Sequence, residues 1–441
     1  MYILTVSLNG IKLNLRLKNN ILKGFLQKLL RPRNHLWIHA MTYSGFSLLF
    51  VYLMHHLPVN QLFIDPFSEA IKSHDIMDVA FSKFRDKRKV SFDSRIVIIN
   101  SGITDRAKLA KTIDILNSRK AAAIGIDLIL DTLYNTQEDS MLQQAISKTN
   151  NIVFGYIFYE KKGSHNSFKA LGSNDFFIQD KTEAYVNLGT NDGFSVRAFE
   201  PVHHVGGSEN FSFGLQLSTL YDTTALPFIH KRHIEKEWIN FKRVQPGYSS
   251  MAYPINHDGV VHYNMIHIDQ LLNDTLQYDS TYFANKIVLI GFCGETEQAL
   301  SMKDRYFTPL NEEYTGRSIP DMHGVTIHAN IISMILDRDF ICEVSHFRIY
   351  LYSFLLYLFN YFVYRRMERH NFFRSMPFIR LIQILEFFIL LMICVLLLLS
   401  FSIKLGFVFI VTTVILSYEL FELYEHKFKP YVQRKLDAFL N

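Results

Sequence analysis

Four apolar runs bracket a long, water-compatible middle, and nothing else in the chain restricts its fold as much. They cover about Trp37–Leu57, Phe347–Tyr364, Leu381–Phe401 and Leu405–Phe421. A helix of roughly 20 apolar residues crosses a hydrocarbon core about 30 Å thick. A soluble helix can imitate one such run, but not the last three, which fall within 75 residues. The first run exits through His55-His56-Leu57-Pro58 with no small-residue cleavage site, so it reads as a retained anchor.

Charge placement orients these runs. Residues 1–36 hold seven Lys/Arg and no acid, and residues 365–380 hold five Arg and one Glu. The net charge of the 441-residue chain is +5, so these two segments carry +11 and the rest −6. Basic loops stay in the cytoplasm. The sequence therefore predicts a cytoplasmic basic segment (1–35), a transmembrane helix (36–57) and an extracytoplasmic domain (58–345). A second span (346–364), a cytoplasmic basic loop (365–380) and two further spans (381–402 and 404–422) follow, then a cytoplasmic tail (423–441). The expected fold class is an α/β extracytoplasmic domain with a mainly parallel sheet, plus four transmembrane α-helices. A basic chain with an acidic main domain points to a membrane and not to nucleic acid.

Residues 1–20 alternate apolar and polar around Asn9-Gly10, a hairpin signal. Ile21, Leu22, Phe25, Leu26, Leu29 and Leu30 then share one helical face. Such a basic amphipathic helix lies in a membrane interface or docks a cytoplasmic partner. In the middle, Leu62 to Phe84 reads as helical. Arg95–Asn100, Ala121–Leu130 and Asn151–Ile157 read as strands, with helices over about Thr104–Ser118 and Glu138–Lys148 between them. Strands alternating with helices predict a mainly parallel sheet. Lys286-Ile-Val-Leu-Ile-Gly291 is a further buried-type strand. Thr308-Pro309 breaks the loop after it, and Gly324 to about Asp337 has the spacing of an amphipathic helix.

These residues carry a resemblance. Lys286–Gly291, Asp304, Thr308-Pro309 and Gly324–Asn330 (GVTIHAN, with His328 and Asn330) closely resemble the closing motifs of the second class of CHASE domain. Ile96–Ile99, Ala123–Asp127 and Ile152–Ile157 extend it, as do Val186-Asn187 with Arg197, and Ile239-Asn240-Phe241. His323 stands where the family usually has proline. Asn191-Asp192-Gly193 is unusually spaced, and the glycine-proline expected after Phe241 is missing. A rebuilt rim loop between Arg197 and Asp279 is implied. The resemblance covers roughly residues 60–343 and implies an extracytoplasmic sensory module.

Chemistry-bearing motifs are few. Gly291-Phe-Cys-Gly294 lacks the GK[ST] ending of a phosphate loop, and no GxSxG, HExxH or kinase signature occurs. His203-His204, His262 and His267 are the residue type for a metal, but 18 histidines give such pairs by chance. No metal or cofactor is expected. Three cysteines without a CxxC make no disulfide framework; a Cys293–Cys342 bridge is open in an oxidising compartment. In parallel α/β sheets ligands sit beyond the carboxyl ends of the strands. That places candidate ligand contacts at Asn100, Ser101, Gly102, Asp127, Phe292 and Cys293. The alternative is that these are turn residues holding no ligand. Asp127 and Asp304 are the residue types of an acid–base pair, but nothing in the sequence brings them together. Glu386, Glu419 and Glu422 fall at the cytoplasmic ends of the last two spans, where pairing with Arg365, Arg366 or Arg380 competes with a proton path.

The 19 residues of the tail 423–441 are too few for an output domain. The expectation is a non-catalytic sensor of the bacterial inner membrane with its main domain in the periplasm or outside. Its partners would be the lipid bilayer, separate signalling proteins and a second copy of itself. The other reading is a scaffold subunit of an envelope complex.

Overall fold

The structure, a computed structural model, describes residues 35–56, 75–86, 89–160, 167–189, 195–205, 207–244, 262–273, 279–295, 301–312, 319–370 and 375–440. The hairpin and amphipathic helix expected before residue 35, much of the helix expected over Leu62–Phe84 and the Asn191-Asp192-Gly193 element lie outside these residues. The chain divides into two compact units. One is Asp65–Glu343 with Cys394–Lys404; the other is Met1–Ile64, Val344–Ile393 and Leu405–Asn441.

The elements in chain order begin with helix α1 (His35–His56) of the second unit. The α/β unit then contributes β1 (Ile96–Asn100), α2 (Arg106–Ser118), β2 (Ala123–Asp127), α3 (Gln137–Ser147), β3 (Ile152–Glu160), β4 (Ser167–Leu171) and β5 (Thr182–Tyr185). It continues with α4 (Phe213–Tyr221), β6 (Asn264–His267), α5 (Ile268–Leu272), β7 (Ile287–Gly291) and α6 (Gly324–Asp337). Helices α7 (His346–Met367), α8 (Met376–Phe401) and α9 (Phe407–Leu423) follow.

The sheet runs β6-β1-β7-β2-β3-β4, with β5 also on β3. All pairings are parallel except β3 with β4. The mainly parallel α/β reading holds. Every residue of β1 and β7 is buried, which is why both read as unbroken apolar runs. Val97, Ile99, Val288 and Ile290 meet Leu109, Ile113, Leu142 and Leu271 of α2, α3 and α5. The alternate residues Ile96, Ile98, Ile287 and Leu289 meet Phe213, Leu217, Val325, Ala329 and Ile332 of α4 and α6. The period of two thus builds a three-layer sandwich. Burying each such side chain contributes about 1.5–3 kcal/mol.

Local signals set the helix starts. Asp105 accepts from the Lys108 amide at 2.7 Å and caps α2. Thr136 and Asp139 form a capping box at α3. Helix α6 corrects one expectation: it is buried on every side from Gly324 to Ile335, not amphipathic. Two of its polar residues are satisfied inside, Asn330 by the backbone of Arg243 and Ser333 by Asp93 at 2.7 Å. The cysteines are free, Cys293 and Cys394 buried and Cys342 exposed, so no Cys293–Cys342 bridge forms.

Of the four expected spans, three are helices long and apolar enough to cross a membrane: Leu36–His56, Met376–Phe401 and Phe407–Arg434. The other, α7, is a 22-residue helix, but its tyrosines, Asn360 and terminal arginines lower its apolarity. Tyr357, Tyr361 and Tyr364 are buried against α1 and α9 partners, with Tyr364 sharing a 2.6 Å hydrogen bond with Ser417. Among the expected acid–arginine pairs, Glu419 bonds Arg380, whereas Glu386 accepts from Asn360 at 3.0 Å and Glu422 from Tyr418 at 3.1 Å.

Candidate functional site at the carboxyl edge of the sheet

Four strand ends lie level with one another. Asn100 of β1 pairs with His267 of β6 on one side and Gly291 of β7 on the other, and Gly291 pairs with Asp127 of β2. Asn100 is fully buried and acts as a clamp. Its Oδ1 accepts from the amides of Gly102 at 3.0 Å and Cys293 at 2.8 Å, while Nδ2 donates to the Gly294 carbonyl at 3.0 Å. The Ser101 amide donates to the Gly291 carbonyl at 2.9 Å. Gly102 sits at φ +52°, and a Cβ there would come within 2.8 Å of His267 Nε2. The structure thus brings Asn100, Ser101, Gly102 and Cys293 together by tying two loops to each other. Phe292 is half-buried, edge-on to His323 with ring centroids 6.2 Å apart and 5.3 Å from the Lys303 ammonium.

Asp127 has a different surrounding. Among the described residues no loop amide bonds its carboxyl; its electrostatic neighbour is Asp304. Asp304 has a left-handed backbone, φ +56°, and opens the strand pair of Arg305–Tyr306 with Met322–His323. Its carbonyl accepts from the Gly324 amide at 3.1 Å. Two glycines leave room for the carboxyls at the start of α6. A Cβ on Gly324 would lie 3.1 and 3.3 Å from the Asp304 oxygens, and one on Gly291 would lie 3.3 Å from Asp127 Cβ and 2.9 Å from Val325.

Burial, and then the charge of Asp304, push the Asp127 carboxyl well above the usual carboxylate range. Burial raises Asp304 as well, against the opposing effects of a hydrogen bond from Tyr306 and the charge of Lys303. The two acids titrate as a pair that keeps a proton into the neutral range. Tyr306 is pushed up to about 12 by burial and by both carboxyls. His323 stands at the N-cap position of α6 without a side-chain cap bond, and its ring bonds the backbone of Asp304 and Lys303. Burial, with Arg305 nearby, lowers it to about 4, so it is neutral beside the helix N-terminus.

The remaining motif residues lie elsewhere. Lys286 precedes β7, with its ammonium 3.9 Å from the Tyr282 ring centroid. Thr308, ahead of Pro309, donates its amide (2.8 Å) and hydroxyl (2.5 Å) to Asp321, whose carboxyl burial nonetheless raises to about 6. His328 is buried edge-on to Phe213 and bonds the backbone of Val186, and burial lowers it to about 4. Asn330 clamps Arg243, its Oδ1 accepting from the amide at 3.1 Å and its Nδ2 donating to the carbonyl at 2.9 Å. Lys286, Thr308, His328 and Asn330 therefore pin the fold, while Gly291, Asp304 and Gly324 assemble around Asp127. Sequence reasoning missed Tyr306, Lys303 and His323 as neighbours of the pair. The only available signal was their adjacency to Asp304 and Gly324 in the motif.

A family model for the CHASE2 domain matches residues 90–362, from just before β1 into α7. No curated protein and no solved structure matches the chain.

Proposed function

We propose a sensory role for this chain from the premise that it belongs to the CHASE2 domain family. CHASE2 is a sensory domain family, and the match spans the whole sheet and its carboxyl edge. In this reading the chain is a non-catalytic, multi-pass protein of the bacterial inner membrane. The α/β unit faces outward, detects a stimulus at the carboxyl edge of the sheet, and relays it to separate partner proteins. The paired Asp127 and Asp304 carry the proposal: an acid pair, one half-buried and one exposed, that holds a proton near neutrality responds to any change in local charge or solvation. A relay requires that the stimulus favour one of two arrangements.

The same reading makes α7 the fourth span. Ser353, Tyr357, Asn360, Tyr361 and Tyr364 turn inward, while Phe347, Leu351, Leu355 and Phe359, one helical turn apart, are exposed and apolar. That face suits lipid, and four spans keep both basic segments on one side.

Two experiments test the proposal. A reporter active only in cytoplasm should be silent after Glu235 and active after His370; the reverse overturns the topology. Hydrogen exchange of the full chain in lipid nanodiscs should show stimulus-dependent protection at 100–103 and 291–294, lost in Asp127→Asn. Unchanged exchange across pH and added small polar solutes, with stoichiometric co-purifying proteins, would instead favour a scaffold subunit.

A further inference from the structure

Asn240, one of the residues singled out by the sequence, reaches a three-residue segment, Ser402–Lys404, within the connection from α8 to α9. This segment belongs to the α/β unit. Ile403 and Lys404 pair in parallel with Cys342 and Glu343, and the Cys342 amide donates to the Ser402 carbonyl at 2.8 Å. Lys404 is 6% exposed although it carries a charge. Its ammonium lies 2.9 Å from the Asp75 carboxylate and 3.2 Å from the Trp238 ring centroid. The Trp238 indole in turn donates to Glu343 at 2.9 Å. Asn240 reaches the Ser402 hydroxyl and the Asp339 carbonyl, both at 3.4 Å.

The holders of this segment connect onward into the unit. Asp75 caps the helix Ile76–Val79, whose Asp78 takes the Arg197 guanidinium at 2.8 Å. The residue after Arg197 pairs with Trp238. Asn240 also accepts from Arg85 at 2.8 Å. A charged side chain enclosed by a carboxylate and an indole holds one geometry, and moving either partner leaves the charge poorly solvated.

We propose that Ser402–Lys404 is a strap by which the α/β unit controls the last two apolar helices. Lys404 is its latch, and Arg197 and Asn240 of the family-like motifs are positioning residues for that latch rather than ligand contacts. Displacing Asp75 or Trp238 moves Lys404, and the peptide chain passes that movement directly into α8 and α9. The proposal rests on the membrane reading of these helices and requires no particular stimulus, so the topology reporter above fails separately from it.

The test uses the full-length chain in lipid nanodiscs. On oxidation, Ile403→Cys should link to native Cys342, its partner in the strand pair, and should stay unlinked when Cys342→Ser is added. In the unmodified chain the Cys342 amide should exchange many-fold more slowly than in an unfolded chain, a readout that survives if the variant misfolds. Fast exchange there, or a folded Ile403→Cys chain that does not link, overturns the docking. Phe387 and Phe407, whose rings are 6.2 Å apart, report transmission. Asp75→Asn should change severalfold the rate at which a Phe387→Cys/Phe407→Cys pair oxidises, with the linked peptides identified by mass. An unchanged rate would make the strap a passive anchor and overturn its control of the helices.

Discussion

Asp127 and Asp304 reach one another across the first turn of α6, where the missing side chains of Gly291 and Gly324 leave space for both carboxyls. The pair forms through parallel strand register and one left-handed residue, without a metal-ligand cluster among the described residues.

The pair should make stability fall as pH rises. Both carboxyls are raised, by burial first and, for Asp127, then by the charge of its partner. The folded chain therefore keeps protons that the unfolded chain releases above pH ~4. The associated stability is complete below that pH and is lost as pH climbs through the raised values, with a slope up to about 1.4 kcal/mol per pH unit for each proton. Asp127→Asn should flatten the slope between pH 5 and 8, leaving the contributions of Asp304, Asp78 and Asp321, each raised by burial. Thermal unfolding in nanodiscs measures it; an unchanged slope would show that the Asp127 carboxyl is not raised in the folded chain.

Histidine burial should act on the acid side with the opposite sign. His323 and His328 are lowered to about 4, chiefly by burial. Their contribution is complete above the ordinary histidine value, ~6.5, and is lost as pH falls toward 4. His328→Gln should cost stability at pH 7 through its lost packing on Phe213, yet reduce the further loss between pH 6.5 and 4.5. The comparison of unfolding midpoints at those two pH values decides it.

Gly125→Ala should destabilise the α/β unit by about 1–3 kcal/mol. A Cβ there would stand 2.6 Å from Leu217 Cδ1 and 2.7 Å from Phe213 Cζ, so these two buried side chains of α4 would have to shift. Chemical denaturation of the full chain gives the value, and a neutral result would mean that α4 packs less closely than described.

Loss of the Asn330 side chain should be costly in the same assay. Asn330→Ala leaves the buried amide and carbonyl of Arg243 without their partner, a loss of about 2–3 kcal/mol or more. Asn330→Asp keeps the acceptor and loses the donor, so it should fall between the two. Equal stability of all three would refute the clamp.

Much of the architecture was readable from short windows. The apolar β1 and β7, the period of α2 and the cap at Asp105 are each set by neighbours within a few residues, as is the length of the apolar runs. These patterns are local, so composition and spacing reveal them. Helix α7 was harder, because average apolarity does not say which side of a helix each tyrosine faces. The burial of Asn330 and His328 on every side of α6 was also hidden, since it depends on segments remote in sequence.

By itself, then, the sequence determined a parallel sheet between apolar helices and the candidate residues at its carboxyl edge. Only the tertiary structure decided which of them act together. Asn100 turned out to be a clamp, Asp127 found Asp304, and Lys404 was drawn into a pocket made by Asp75 and Trp238. The reason is physical: hydrogen bonds and charge pairs between distant segments depend on strand order and loop path, which no local spacing encodes.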